Sequence, residues 1–192
     1  AQAALRFLSR DDADLDEIKE ILDDIVQDDR RAGKVISRLR SLFRKGDCKK
    51  ESVDINELIS DVLMLMDTET SIRQVTIDTI LEPGLEPVLG DKIQLHQVVM
   101  NLVLNASEAL SEVDYKPGKI TISTTTVDRK MVQLSVRDNG VGLTEKSISK
   151  LTEPFFTTKP EGMGMGLSIN QTIIDAHMGH LWAENNSERG AT

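Results

Sequence analysis

The chain has 192 residues, with 32 acidic and 23 basic side chains, a net charge of −9, 39% hydrophobic residues and 3% aromatics. That is apolar material for one ordinary domain with a helical appendage, and the acidic balance argues against nucleic-acid binding or a basic membrane-surface module. The lone cysteine, Cys48, excludes an internal disulfide framework, and no apolar run is long enough to span a membrane.

Charge divides the chain. Residues 1–50 carry 12 basic and 11 acidic side chains, whereas residues 51–192 carry 11 and 21. The change near Gly46 to Lys50 predicts a helical part over 1–48 and an acidic mixed part over 49–192. In the first part, Ile18, Leu22, Ile25, Ala32, Ile36, Leu39 and Phe43 recur in steps of four and three, with Asp29 the polar break. This seam predicts a bundle helix, started by the capping box Asp14-x-x-Glu17 and stopped by Gly46. Ala1 to Leu8 reads as the end of a preceding helix, so the pair forms an antiparallel hairpin whose first helix is truncated. One long helix with an unmatched seam has little core of its own, which predicts a homodimeric bundle. The sequence begins at Ala1 without Met and reads as part of a longer chain.

In the second part, Asp54-x-x-Glu57 opens a helix expected to run to Asp67, followed by a strand at Gln74–Leu81. Asp91-x-x-Gln94 opens a second helix to Leu110, with Leu95, Val98, Leu102, Ala106 and Ala109 expected to face the core. Ile120–Val127 and Val132–Val136 alternate like strands around the turn at residues 128–130. A helix at Gly166–His177 and a strand at His180–Glu184 follow. The expected fold is α+β, a two-layer α/β sandwich with mostly antiparallel strands.

Three clusters carry chemistry. Asn101, Asn105 and Glu108 share a narrow arc of one helix face, and asparagine oxygens suit Mg²⁺; the plain alternative is a pair of exposed asparagines. Asp138-Asn139-Gly140-Val141-Gly142 follows a strand. A carboxylate there can accept a hydrogen bond from an adenine amino group while glycine lets backbone approach closely, although Asp-Asn-Gly is also a common turn. Gly162-Met163-Gly164-Met165-Gly166-Leu167-Ser168 opens a helix and would present backbone N–H groups to an anion. It lacks the lysine of a P-loop and the flanking β-α-β unit of a dinucleotide fold. Upstream, Phe155-Phe156-Thr157-Thr158-Lys159 reads as a lid with a cation, or as an apolar loop anchor.

In this order the clusters resemble those of the sensor histidine kinases of two-component systems, within the superfamily shared with gyrase, Hsp90 and MutL. Asn101 to Ala109 is similar to the N box, Asp138–Gly142 to the G1 box, Phe155–Lys159 to the F box and Gly162–Leu167 to the G2 box. Gly190-Ala191-Thr192 is similar to the start of a last glycine box, and Arg31 to Phe43 to the second helix of the dimerisation hairpin. The Phe-Phe-Thr-Thr-Lys stretch resembles that of the soluble, PAS-linked kinases. The resemblance implies an ATP-dependent autokinase that passes phosphate from a histidine to a response regulator receiver domain. The setting implied is the cytoplasm, or the cytoplasmic portion of a membrane-bound sensor.

It also implies site residues. Asn105 would bind Mg²⁺, with Asn101 beside it as a catalytic residue. Asp138 would hold adenine, supported by Thr192. Lys159, also catalytic, would bind phosphate with the backbone of residues 162–166. Glu108, Ala109, Gly140, Val141, Gly142, Thr158, Gly162, Met163, Gly164, Met165, Gly166 and Leu167 complete the nucleotide set. Two alternatives stand. A water-using ATPase of the gyrase type carries a general-base Glu four residues before the Mg²⁺-binding Asn, where this sequence has Asn101, which cannot take a proton from water. A non-catalytic ATP-binding or dimerisation module is the other. The only histidines are His96, His177 and His180. None lies in a phosphoacceptor context, so the acceptor is expected upstream of Ala1.

Overall fold

The computed structural model describes residues 50–72, 75–111, 118–128, 131–159, 162 and 164–192, together with Lys19, Ile21, Leu22 and Ile25. The chain divides into two compact units, residues 1–46 and 47–192. In the first, the four described residues are helical, with Leu22 exposed and Ile25 half-buried. The Asp14 capping box, the rest of the seam, the Gly46 stop and Met163 lie outside the described residues.

The second unit runs β1 (Glu51–Val53), α1 (Ile55–Ile72), β2 (Val75–Leu81), β3 (Val88–Gly90), α2 (Lys92–Ser111), β4 (Gly118–Val127), β5 (Met131–Asp138), α3 (Glu145–Ser149) and α4 (Gly166–Ala176). Local chemistry starts both long helices. The Asp54 carboxylate accepts from the backbone N–H of Asn56 and Glu57, and Asp91 does the same for Ile93 and Gln94. Each thereby satisfies two amides that no helical carbonyl can reach.

The sheet is mixed rather than mostly antiparallel. β4 pairs antiparallel with β5 but parallel with β2, and β1 and β3 form a separate antiparallel pair. A parallel pair needs a long crossover, and α2 lies within the stretch joining β2 to β4. α1 continues to Ile72, five residues beyond the expected Asp67. The three-residue strands β1 and β3 are too short to show an alternating pattern.

Along β4 alternate residues Gly118, Ile120, Ile122 and Thr124 are buried, so one sheet face meets the helices. Leu58, Ile59 and Val62 of α1 join Leu95, Val99, Val103, Ala106 and Leu110 of α2 in this core. The core stripe of α2 is therefore rotated from the expected one: Leu102 and Ala109 are only half-buried, while Val99, Val103 and Leu110 are inside. Val98 turns to a second cluster with Met165, Ile169 and Ile173, which docks α4 on α2. A polar clasp fastens α1 to the sheet. Thr124 Oγ1 donates to Asn56 Oδ1 and accepts from Glu82 N–H, and Asn56 Nδ2 donates to the Glu82 carbonyl.

The expected strand at His180–Glu184 does not form. Asn185 makes an isolated bridge with Ala191, and Glu184 and Thr192 exchange backbone hydrogen bonds of 3.0 and 2.9 Å.

Candidate functional site

Asp138 ends β5 and is buried. Its Oδ1 accepts from Gly140 N–H at 2.8 Å and from Ala191 N–H at 3.3 Å. Among the described residues none donates to Oδ2, so one carboxylate oxygen remains for a ligand donor. Burial raises the Asp138 pKa, against the lowering effects of the Gly140 and Ala191 amides, its own backbone and the charge of Lys159.

Glycine makes this arrangement possible. A Cβ on Gly140 would lie 2.7 Å from the Ala109 carbonyl oxygen, so the loop rests directly on the α2 backbone. Gly190, at φ +77°, sits so close to Asp138 that a Cβ would stand 2.1 Å from its carbonyl oxygen. Asn186 braces the same strand end. Its Nδ2 donates to the Asp138 carbonyl at 2.8 Å and to the Arg189 carbonyl at 2.9 Å, while its Oδ1 accepts from Thr192 Oγ1 at 2.6 Å. Thr192 thus supports Asp138 through Asn186, and the direct contact comes from Ala191. Asn185 clamps the Gly142 side by accepting from Leu143 N–H and donating to the Leu143 carbonyl, both at 2.7 Å.

On α2, Asn101, Asn105 and Glu108 are all half-buried. Asn101 Nδ2 donates to Asn170 Oδ1 of α4 at 3.0 Å. Glu108 is not free: its Oε2 accepts from Lys159 Nζ, in an ion pair linking α2 to the Phe155–Lys159 segment. The cation that the sequence reading assigns to phosphate thus rests against a carboxylate of α2. Phe155 holds φ +66° and is exposed. Gly164, at φ +64°, lies against the backbone of Phe155 and Phe156, leaving only 2.4 Å for a Cβ. The glycine loop therefore folds on the aromatic segment. α4 starts at Gly166 with no side-chain cap, and a Cβ on Gly166 would meet nothing in the protein. Leu167 is half-buried and Met165 buried, whereas Val141 and Thr158 are exposed.

Sequence reasoning missed Asn170, Asn185 and Asn186. The Asn185-Asn186 pair shortly before Gly190 carries the residue types of a turn, but its partner, the β5 end, is distant in sequence. Of the histidines, His177 is held by α2's start and by its own helix. Both ring nitrogens of His177 are engaged, Nε2 accepting from Asp91 N–H and Nδ1 donating to the Ile173 carbonyl.

Residues 90–192 match the model of the family described as histidine kinase-, DNA gyrase B- and HSP90-like ATPase. The chain belongs to this family. Its second unit is a catalytic domain of the sensor histidine kinase type. The chain is 35% identical over 181 residues to the sensor protein FixL of Bradyrhizobium diazoefficiens, covering 94% of this chain and 35% of that protein. The catalytic domain of histidine kinase ThkA, solved free of nucleotide, matches with 34% identity and a TM-score of 0.65, covering 72% of this chain and 89% of that one. ThkA in complex with the response regulator protein TrrA matches in fold, at 24% identity and a TM-score of 0.70, covering 98% of this chain and 52% of that one. The chain spans about a third or less of the length of the curated relatives it matches, FixL among them. Among the described residues, no helix is long and apolar enough to cross a membrane.

Proposed function

We propose that this chain is the nucleotide-binding and kinase part of a sensor histidine kinase, which moves the γ-phosphoryl group of ATP to a histidine and thence to a response regulator. The observation that carries this reading is the buried Asp138 carboxylate, one oxygen of which has no donor among the described residues, walled by Gly140 and Gly190. A planar ring with an exocyclic amine fits such an acceptor, because glycine lets the backbone reach the ring plane.

The phosphates would lie toward α4, whose first amides have no side-chain cap and whose Gly166 leaves open space. Lys159 would turn from Glu108 to a phosphate oxygen, exchanging one anion for another. The residues present fit Mg²⁺. Asn105 offers a neutral oxygen, and among the described residues no cluster of three or more His, Cys, Asp or Glu forms a cage, so the ligand set would rely on phosphates and water. Bound there, the cation would neutralise phosphate charge. In the transfer itself the bond from the γ-phosphorus to the ADP oxygen breaks, a bond to an imidazole nitrogen forms, and ADP leaves. The site then contributes positioning and electrostatics rather than a covalent intermediate. Asn101 cannot deprotonate water, which favours transfer to a protein nucleophile over hydrolysis.

The acceptor histidine would lie on a segment outside this sequence, on a hairpin helix paired with the residue 15–43 seam, and the hairpin would make the protein a homodimer. Incubation with γ-labelled ATP tests this. The 192-residue chain should bind ATP without labelling, whereas the chain extended N-terminally through the hairpin should form an acid-labile phosphohistidine. Stable labelling at His96, His177 or His180 would overturn the acceptor assignment. An extended chain that binds ATP but never labels would favour a non-catalytic module.

A further inference from the structure

α2 and α4 meet across an apolar seam, Val98 and Leu102 against Met165, Ile169, Ile173 and Ile174. One polar pair interrupts it. Asn170, with no exposed surface, accepts at Oδ1 a 3.0 Å hydrogen bond from Asn101 Nδ2. The other end of the Asn170 amide is unused, since Nδ2 is buried without a hydrogen-bond partner. A leucine of similar size would fill the same place without an unmet donor. Packing therefore does not account for an asparagine here.

What Asn170 accomplishes is to orient a neighbour. An amide is planar, with donor and acceptor at opposite corners. With its Nδ2 end held in the seam, Asn101 turns Oδ1 away from Asn170. The end left for a ligand is thus an acceptor. A phosphate oxygen calls for a donor, whereas a divalent cation or its bound water calls for an acceptor.

We infer that Asn170 is a positioning residue for the divalent cation, holding Asn101 with its carbonyl oxygen presented to Mg²⁺ or to a water on it. The inference rests on the nucleotide reading above. It separates two roles that a bare pair of asparagines leaves open, because Asn101 then serves the metal rather than the phosphate.

The test is calorimetric titration of the full 192-residue chain with ADP, once in EDTA and once in excess Mg²⁺. The ratio of the two affinities is the metal enhancement. Asn170→Leu should reduce that ratio about three- to tenfold, the worth of one neutral hydrogen bond, while the EDTA affinity stays within about twofold and thermal stability is kept. Asn101→Ala should lose the same enhancement, and the double variant no more than either single one. Asn170→Asp, which keeps an oxygen facing the Asn101 amide, should retain the enhancement. The inference is overturned if folded Asn170→Leu keeps the full enhancement, if both affinities fall together with stability, or if Asn170→Asp fails as Asn170→Leu does. Should Asn170→Leu not fold, Asn101→Ala and Asn170→Asp decide. A wild-type chain that binds ADP in neither condition refutes the nucleotide reading, and this inference with it.

Discussion

Replacing Asp138 by Asn exchanges one atom of the site. Oδ1 still accepts from Gly140 and Ala191, so the strand end keeps its brace. The uncommitted oxygen becomes an NH₂, and two donors then face each other where adenine binds. Loss of a hydrogen bond to a charged group costs about 1.5–3 kcal/mol, or about ten- to hundredfold in affinity. The free protein should not weaken in step. Burial raises the Asp138 pKa, so the ionised form is disfavoured in the folded state. For a raised acid, that penalty is complete above the folded pKa and vanishes below the unfolded one. A neutral amide at this position lacks it throughout. The variant should therefore match or exceed the parent in stability at neutral pH, and any advantage should shrink as the pH falls through the carboxylate range. Parent affinity for ADP should fall over the same range, beginning above the ordinary aspartate value. Calorimetry with ADP and urea melts at several pH values test both halves. Unchanged affinity, or affinity and stability lost together, would refute the reasoning.

Gly190→Ala places a Cβ against the Asp138 carbonyl at φ +77°. It should cost about 2 kcal/mol or more from the left-handed backbone and the overlap, and a parent-like urea midpoint would contradict the close approach. Glu108→Gln removes the anion that holds Lys159. It should change stability by under about 1 kcal/mol, the pair being partly exposed, and raise ATP affinity a fewfold; lower affinity would contradict the exchange proposed for Lys159. Leu58→Ala, at a fully buried core position, should lower unfolding free energy by about 2–5 kcal/mol, read from denaturant melts. Leu22→Asp should shift light scattering toward monomer, and an unchanged mass from a dimeric parent would remove Leu22 from the seam.

Features determined within a few residues were legible in the sequence. Asp54 and Asp91 cap their helices because an aspartate reaches amides two and three positions on, wherever the helix later packs. The faces that set Asn101 beside Asn105 and the glycines around Asp138 and before α4 follow from the same short spacings. Tertiary structure decided what depends on a partner distant in the chain. The parallel register of β2 on β4, the three-residue pair β1–β3 and the missing strand at 180–184 are settled by which backbone lies alongside. The rotation of the α2 core stripe follows from α4 claiming Val98 for its own seam. Lys159 meets Glu108, Asn170 meets Asn101 and Asn186 meets Asp138 across 51, 69 and 48 residues. No local propensity encodes such separations, because packing alone brings these polar ends within hydrogen-bond reach.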